Sequence, residues 1–200
     1  MNRIKIENLN FGYTNELVIK NLNLDIESGE MAVLIGENGS GKSTLVKLIL
    51  GELEQQSGSI QILGEDAKIK NCYKEIGYVP QMNVLEKIAF PVTCLELVSL
   101  GLYDDFGFIK IPKTHHKKKA YEMLKTMDLE EFANVPFNEL SGGLQQRVMI
   151  CRSLIHNPKI ILLDEPTSGV DKESKEKFLK LTNEINEKFG ITVILVTHEL

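Results

Sequence analysis

The residues Gly36-Glu37-Asn38-Gly39-Ser40-Gly41-Lys42-Ser43 fit the pattern G-x-x-x-x-G-K-[ST]. The chemistry this spacing offers is phosphate binding. Glycines let the backbone wrap an anion with its N–H groups, Lys42 sets a cation against the terminal phosphates, and the Ser43 hydroxyl can reach Mg2+. Gly36, Asn38, Gly39, Ser40, Gly41, Lys42, Ser43 and Thr44 are the candidate nucleotide-binding residues. A glycine-rich turn with a chance lysine is the competing reading. It does not account for the apolar run before the loop and the helical pattern after it. Far downstream, Asp164 and Glu165 close the apolar run Ile160-Ile161-Leu162-Leu163. Two carboxylates leaving a buried strand are costly unless they hold a metal or a water. Asp164 suits Mg2+, and Glu165 suits positioning of an attacking water; the plainer alternative is a solvated acidic turn.

A second glycine-containing element lies at Leu140-Ser141-Gly142-Gly143-Leu144-Gln145-Gln146-Arg147. Ser141 can cap the helix that follows, and Gly142 and Gly143 let N–H groups approach an anion closely. One subdomain seldom needs two such sites for one phosphate chain, so this one is read as serving a nucleotide held by another copy. Three single residues join these motifs. His198 follows the last strand and, in a parallel sheet, a strand C-terminus faces the ligand crevice; a solvent-facing structural histidine is the alternative. Gln81 is a neutral amide at another strand end. Tyr13 could stack on a base, with packing at a sheet edge as its rival.

Positioning these residues requires a specific order of elements. Ile4–Leu9 and Val18–Ile26 alternate as half-buried strands, and Met31–Ile35 reads as a strand buried on both faces. A helix begins at Lys42, and Ile60–Leu63 and Ile76–Val79 are short strands. From about Asn83 to Leu129 the pattern is helical, with a capping-box signature at Thr93-x-x-Glu96 and a second helix over Lys113–Met127. The helix of the second glycine element carries Leu144, Val148, Cys151 and Ile155 on one stripe. Ile160–Leu163, a helix ending at Gly190, and Ile191–Val196 complete the chain. This order predicts an α/β fold, a parallel core with an inserted helical subdomain.

Composition narrows the class. Of 200 residues, 42% are hydrophobic and 26% charged, as in an ordinary globular domain. A net charge of -5 disfavours non-specific nucleic-acid binding. Cys72, Cys94 and Cys151 form no CxxC and read as reduced packing residues. No signal peptide is visible and no apolar run reaches spanning length; the nearest, Phe90–Ile109, is interrupted by Pro91, Glu96, Asp104 and Asp105. Any membrane spans are expected from another chain. His115-His116-Lys117-Lys118-Lys119 lacks a carboxylate or cysteine at ligand spacing and reads as a solvated basic helix start rather than a metal site.

Taken together, these motifs resemble the ATP-binding subunit of ABC transporters over essentially the whole chain. Tyr13 matches the A-loop aromatic, Gly36–Thr44 Walker A, Gln81 the Q-loop, Leu140–Arg147 the signature, Ile160–Glu165 Walker B, Ser168-Gly169-Val170-Asp171 the D-loop and His198 the H-switch. The resemblance implies a single ABC ATPase domain over residues 1–200. Its P-loop NTPase core, with a mixed, largely parallel sheet and an antiparallel β subdomain, would occupy residues 1–82 and 158–200, with the helical subdomain at about 83–157. It implies two ATP and Mg2+ sandwiched in a head-to-tail homodimer, Walker A of one copy facing Ser141 and Gly143 of the other and Asp171 coupling the two sites. Catalysis would fall to Glu165, His198, Gln81 and Lys42, and metal contacts to Ser43, Gln81 and Asp164.

Partners implied are a polytopic membrane permease and an extracytoplasmic solute-binding protein, with the chain cytoplasmic and peripheral on the inner face of the membrane. The block Phe90-Pro91-Val92-Thr93-Cys94-Leu95-Glu96 looks like the zinc/manganese importer ATPases and implies a docking groove around Phe90 and Leu97. The signature's fifth residue, usually Gln, is Leu144 here, which implies tuned affinity. The family usually continues for some tens of residues past the histidine, so either the chain is truncated at Leu200 or the gene product is short, and the last strand is expected to be under-covered. The rivals are another ABC transporter's ATPase, a soluble ABC ATPase of translation, repair or iron–sulfur assembly, and a non-hydrolysing ATP-binding module.

Overall fold

The computed structural model describes residues 2–67, 72–81, 91–166 and 172–198, with side chains left out at a few of their ends. Expectations for Phe90 and for Ser168–Asp171 fall outside these residues. The chain separates into two compact units, one of Met1–Tyr78 with Lys159–Leu200 and one of Val79–Pro158.

The first unit carries two sheets. Strands β1 (Asn2–Phe11), β2 (Ile19–Glu27), β4 (Ser57–Ile62) and β5 (Glu65–Asp66) form an antiparallel sheet in the order β2-β1-β4-β5. Their alternating residues give it one dry face, where Ile4, Ile6, Ile26, Ile60 and Ile62 are buried. Strands β3 (Met31–Ile35), β6 (Ile76–Val79), β7 (Ile160–Asp164) and β8 (Thr192–Thr197) form the second sheet, ordered β3-β8-β7-β6. The β3–β8 and β7–β8 pairs run parallel. Helix α1 (Lys42–Ile49) contributes Leu45, Val46, Leu48 and Ile49 to one apolar core that also takes in Ile4 and Ile6 of the first sheet and Ile160, Leu162, Ile194 and Val196 of the second. Helix α5 (Lys172–Phe189) packs beside β8.

Two expectations about this sheet are corrected. β3 is not buried on both faces: it ends the strand order, and Val33 and Ile35 are 36% and 55% exposed. Nor is the last strand under-covered. β8 lies between β3 and β7 with all six residues buried.

The second unit is helical: α2 (Cys94–Ser99), α3 (Thr114–Thr126) and α4 (Gly142–Leu154), joined partly by 3-10 turns. The capping box at α2 is present. The Glu96 N–H donates to Thr93 Oγ1 at 3.2 Å, and the Thr93 N–H donates to Glu96 Oε2 at 3.0 Å. The Thr93 N–H and hydroxyl hold the Glu96 carboxyl below its ordinary range. Since the folded value is the depressed one, this contribution is complete above the ordinary carboxylate range and is lost as pH falls. With six residues to stabilise, α2 depends on its cap. Thr93→Ala is expected to cost about 1 kcal/mol and lower Tm by about 2–4 °C. Calorimetry showing an unchanged Tm would remove the cap from any stabilising role.

Gly101 does not end a helix by turning left-handed. A Cβ there would sit 2.3 Å from the Arg152 carbonyl oxygen of α4, so the missing side chain permits a close approach. Val148, Cys151 and Ile155 form the buried stripe of α4, with Leu144 half-buried at its start. Cys94 and Cys151 are free and buried, and burial pushes their thiols up to about 11 and about 12, as suits packing residues.

Candidate functional site

Parallel register brings the chemical residues of the first unit to one sheet edge. Ile35 is paired with Thr197 and Asp164 with Val196, so the glycine loop, Asp164-Glu165 and His198 all leave the sheet at strand C-termini on the same side. An open parallel sheet places its ligand crevice there.

The loop ends at Gly41, which caps α1 with φ 94°, a conformation glycine adopts without strain. No side chain caps the helix, so its first N–H groups are presented to an anion. Glu37, Asn38, Gly39 and Ser40 are exposed, as is Ser43 on the first turn. The Lys42 ammonium donates to the carbonyls of Gly36 at 2.5 Å and Glu37 at 3.0 Å, tying the loop closed across its mouth. Thr44 is buried, with its hydroxyl 3.4 Å from that of Tyr13. Tyr13 itself stands edge-on to Phe11 at 5.1 Å between ring centroids and keeps 60% of its surface exposed. The ring is braced at one edge and free to stack.

Asp164 is half-buried and accepts a hydrogen bond from the Tyr78 hydroxyl at 3.3 Å. Burial pushes its carboxyl above the ordinary value; the Glu165 charge adds to this, while Tyr78 and Lys42 oppose it. Burial and the neighbouring Asp164 in turn push the Tyr78 hydroxyl up, so it stays a donor. Sequence reasoning missed Tyr78. Its one signal was position, a polar ring on a short strand next to β7. A carboxyl raised in the folded state makes folding less favourable as it ionises, and a bound cation reverses that cost. The donors here, a carboxylate and a hydroxyl, are the hard oxygens Mg2+ takes.

Glu165 adopts φ 44° and donates its N–H to the Val196 carbonyl at 2.8 Å. A left-handed glutamate is strained backbone, of the kind found at functional positions. Its Oε1 lies 3.8 Å from His198 Nδ1, a buried nitrogen with no hydrogen-bond partner. That spacing is too long for a direct hydrogen bond but close enough for the two groups to face one site.

Gln81, Ser141, Gly142 and Gly143 belong to the second unit. Gln81 is half-buried after β6. Ser141 takes the N-cap position of α4 in extended conformation, but its side chain makes no cap hydrogen bond, contrary to expectation. The helix start is instead braced from behind, where Gln145 Nε2 donates to the Phe137 carbonyl at 3.1 Å. Ser141, Gly142 and Gly143 are exposed, and a Cβ at either glycine would meet nothing within 4 Å. This is open surface rather than a crowded turn. His116, expected at a solvated helix start, is buried against Phe106 at 4.8 Å, and its Nδ1 accepts the Lys113 N–H. Among the described residues no three His, Cys, Asp or Glu side chains gather as a metal cage would require.

A family model described as ABC transporter matches residues 19–168. The chain belongs to the ABC transporter family. This ABC protein is 40% identical over 201 residues to the zinc uptake system ATP-binding protein ZurA of Listeria innocua, covering 100% of the chain and 78% of that relative. It is 36% identical over 197 residues to the manganese transport system ATP-binding protein MntB of Bacillus subtilis, covering 98% and 77%. Among solved structures, the ATP-binding cassette MJ0796, a dimeric post-hydrolysis state bound to ADP and Pi, superposes with a TM-score of 0.77 at 36% identity, covering 98% of the chain and 88% of the other. Its fold is therefore that of an ABC ATPase domain.

Proposed function

We propose that this chain is the ATP-binding, ATP-hydrolysing subunit of a membrane ABC importer for a divalent metal such as zinc or manganese. The observation that carries the ATPase reading is the convergence of the Lys42 loop, Asp164, Glu165 and His198 at one edge of one sheet. Similarity over nearly all of this chain, and over 78% and 77% of the relatives, to zinc and manganese uptake subunits supports the choice of cargo.

In this reading the exposed face of Tyr13 stacks on the adenine. Gly36, Asn38, Gly39, Ser40, Gly41 and the first turn of α1 direct N–H groups at the phosphates, and Lys42 exchanges its two loop carbonyls for terminal phosphate oxygens. Ser43 and Asp164 would hold Mg2+, with Gln81 assigned to the same ion on sequence grounds; when bound, it neutralises charge on the phosphate oxygens. Glu165 orients the attacking water and accepts its proton. His198, 3.8 Å from Glu165, contacts the terminal phosphate. Ser141, Gly142 and Gly143 offer a second copy's nucleotide a helix N-terminus that no side chain of their own occupies. The working assembly is then an ATP-bound homodimer docked to a permease at the inner face of the membrane, served by an extracytoplasmic solute-binding protein. The metal cargo passes through the permease.

A strain lacking this chain is expected to stop growing in chelator-treated medium and to recover with added zinc or manganese. Lys42→Ala is expected not to complement it. Chelator tolerance unchanged by the deletion would remove the metal-import reading and leave the ATPase reading to the tests below.

A further inference from the structure

Between α2 and α3 the second unit holds two apolar side chains out in water on a built turn. Phe108 is 104% exposed and Ile109 76%. The Lys110 N–H donates to the Gly107 carbonyl at 2.9 Å, closing the turn so that Phe108 and Ile109 occupy its tip. Lys110 takes φ 53°, and its ammonium lies 4.6 Å above the Tyr103 ring, also donating to the Tyr103 carbonyl at 3.4 Å. At the base, buried Phe106 packs against Tyr103 at 5.7 Å and His116 at 4.8 Å. Hydrogen bonding, a cation–π contact and an aromatic anchor thus hold a conformation whose product is an exposed Phe-Ile pair. Among the described residues none covers this pair.

The basic charge lies on the C-terminal side of this tip, with exposed Asp104 and Asp105 just before it. From Phe106 to Tyr121 the sequence carries five lysines and no aspartate or glutamate, in a chain of net charge -5. Lys110, Lys113, Lys117, Lys118 and Lys119 are all exposed. The last three lie in the opening turns of α3, whose first turn has no acidic residue, although a helix N-terminus favours acids over bases. Cations placed against the dipole weaken the helix that bears them and suit anions supplied from outside.

We propose that the Gly107–Lys110 turn is a membrane-surface anchor, inserting Phe108 and Ile109 below the headgroups of an anionic bilayer while the flanking lysines engage lipid phosphates. Apolar side chains at a tip with basic side chains around it are what an anionic interface selects: the first pair gains by leaving water, and the lysines gain by lying within a Debye length of negative charge. A protein groove would bury the pair equally well, but five exposed lysines against the two acids Asp104 and Asp105 leave this surface net basic, which favours an anionic bilayer. The inference stands on this surface alone and does not depend on the identity of the transported solute.

The chain contains no tryptophan, so Phe108→Trp creates a single fluorophore at the tip. Titrated with phosphatidylcholine vesicles containing about a third phosphatidylglycerol, it is expected to shift to the blue, and the shift is expected to reverse on adding salt. Pure phosphatidylcholine should leave it unchanged. In co-sedimentation, a K113Q/K118Q/K119Q variant should lose about a hundredfold in partitioning, and Phe108→Ser about tenfold. Matching circular dichroism and Tm would show both variants folded. An unshifted spectrum on anionic vesicles, or an equal shift on neutral ones, overturns the proposal. So does Phe108→Ser abolishing capture by a permease in lipid-free detergent while vesicle binding is intact, which would assign the tip to a protein partner.

Discussion

Glu165→Gln protein supplied with ATP and Mg2+ is expected to run as a stable dimer and to release phosphate roughly a hundredfold to ten-thousandfold more slowly than the parent. The substitution keeps the shape of a side chain that sits 3.8 Å from His198 and removes its charge. Lys42, Ser43 and the N-terminus of α1 are untouched, so nucleotide still binds. What is lost is the carboxylate proposed to polarise the attacking water. A head-to-tail dimer that reopens only after hydrolysis then accumulates closed. Light scattering with and without ATP reads the assembly, and a phosphate-release assay reads the chemistry. A variant that stays monomeric at saturating ATP would sink the shared-nucleotide arrangement, including the roles of Ser141 and Gly143.

Lys42→Ala should act one step earlier. It removes a cation from the phosphates and, in the same stroke, the two hydrogen bonds that tie the loop across Gly36 and Glu37. Charge-assisted hydrogen bonds are worth about 1.5–3 kcal/mol each, so ATP affinity is expected to fall roughly tenfold to a hundredfold. Hydrolysis should fall further, because a lysine on the terminal phosphates also stabilises the charge that builds toward the leaving-group oxygen in the transition state. The two variants separate cleanly: Glu165→Gln binds and does not turn over, whereas Lys42→Ala fails at both. Equilibrium binding of a fluorescent ATP analogue checks the first half. Near-parental affinity in Lys42→Ala would mean that the lysine serves the loop and not the ligand.

Local patterns carried well from sequence to structure, and non-local ones did not. The capping box at Thr93–Glu96 and the span of α3 are set by residues three or four apart, and both stand as read. The turn from β3 through Gly36–Gly41 into α1 was legible for the same reason. Met31–Ile35 shows the limit. Five apolar residues in a row look identical whether a strand lies in the middle of a sheet or at its end. The β3-β8-β7-β6 order is decided by which distant segments pair, and it leaves Val33 and Ile35 exposed. The same order puts β8 in the middle, reversing the expectation for the last strand. Tyr78 went unrecognised because its link to Asp164 spans two strands adjacent in space but far apart in sequence. Ser141 was misread in the opposite sense. A serine before a helix predicts a cap, yet this one leaves the helix start open, and it is the open start that suits an external anion.

The backbone of Glu165 sets evolution and engineering against each other. At φ 44° this position would be more comfortable with asparagine or glycine, which enter the left-handed region at lower cost. A directed-evolution screen that ranks variants only by heat tolerance is therefore biased toward replacing this carboxylate, which lies beside His198. Sturdier proteins recovered that way would tend to be silent ones.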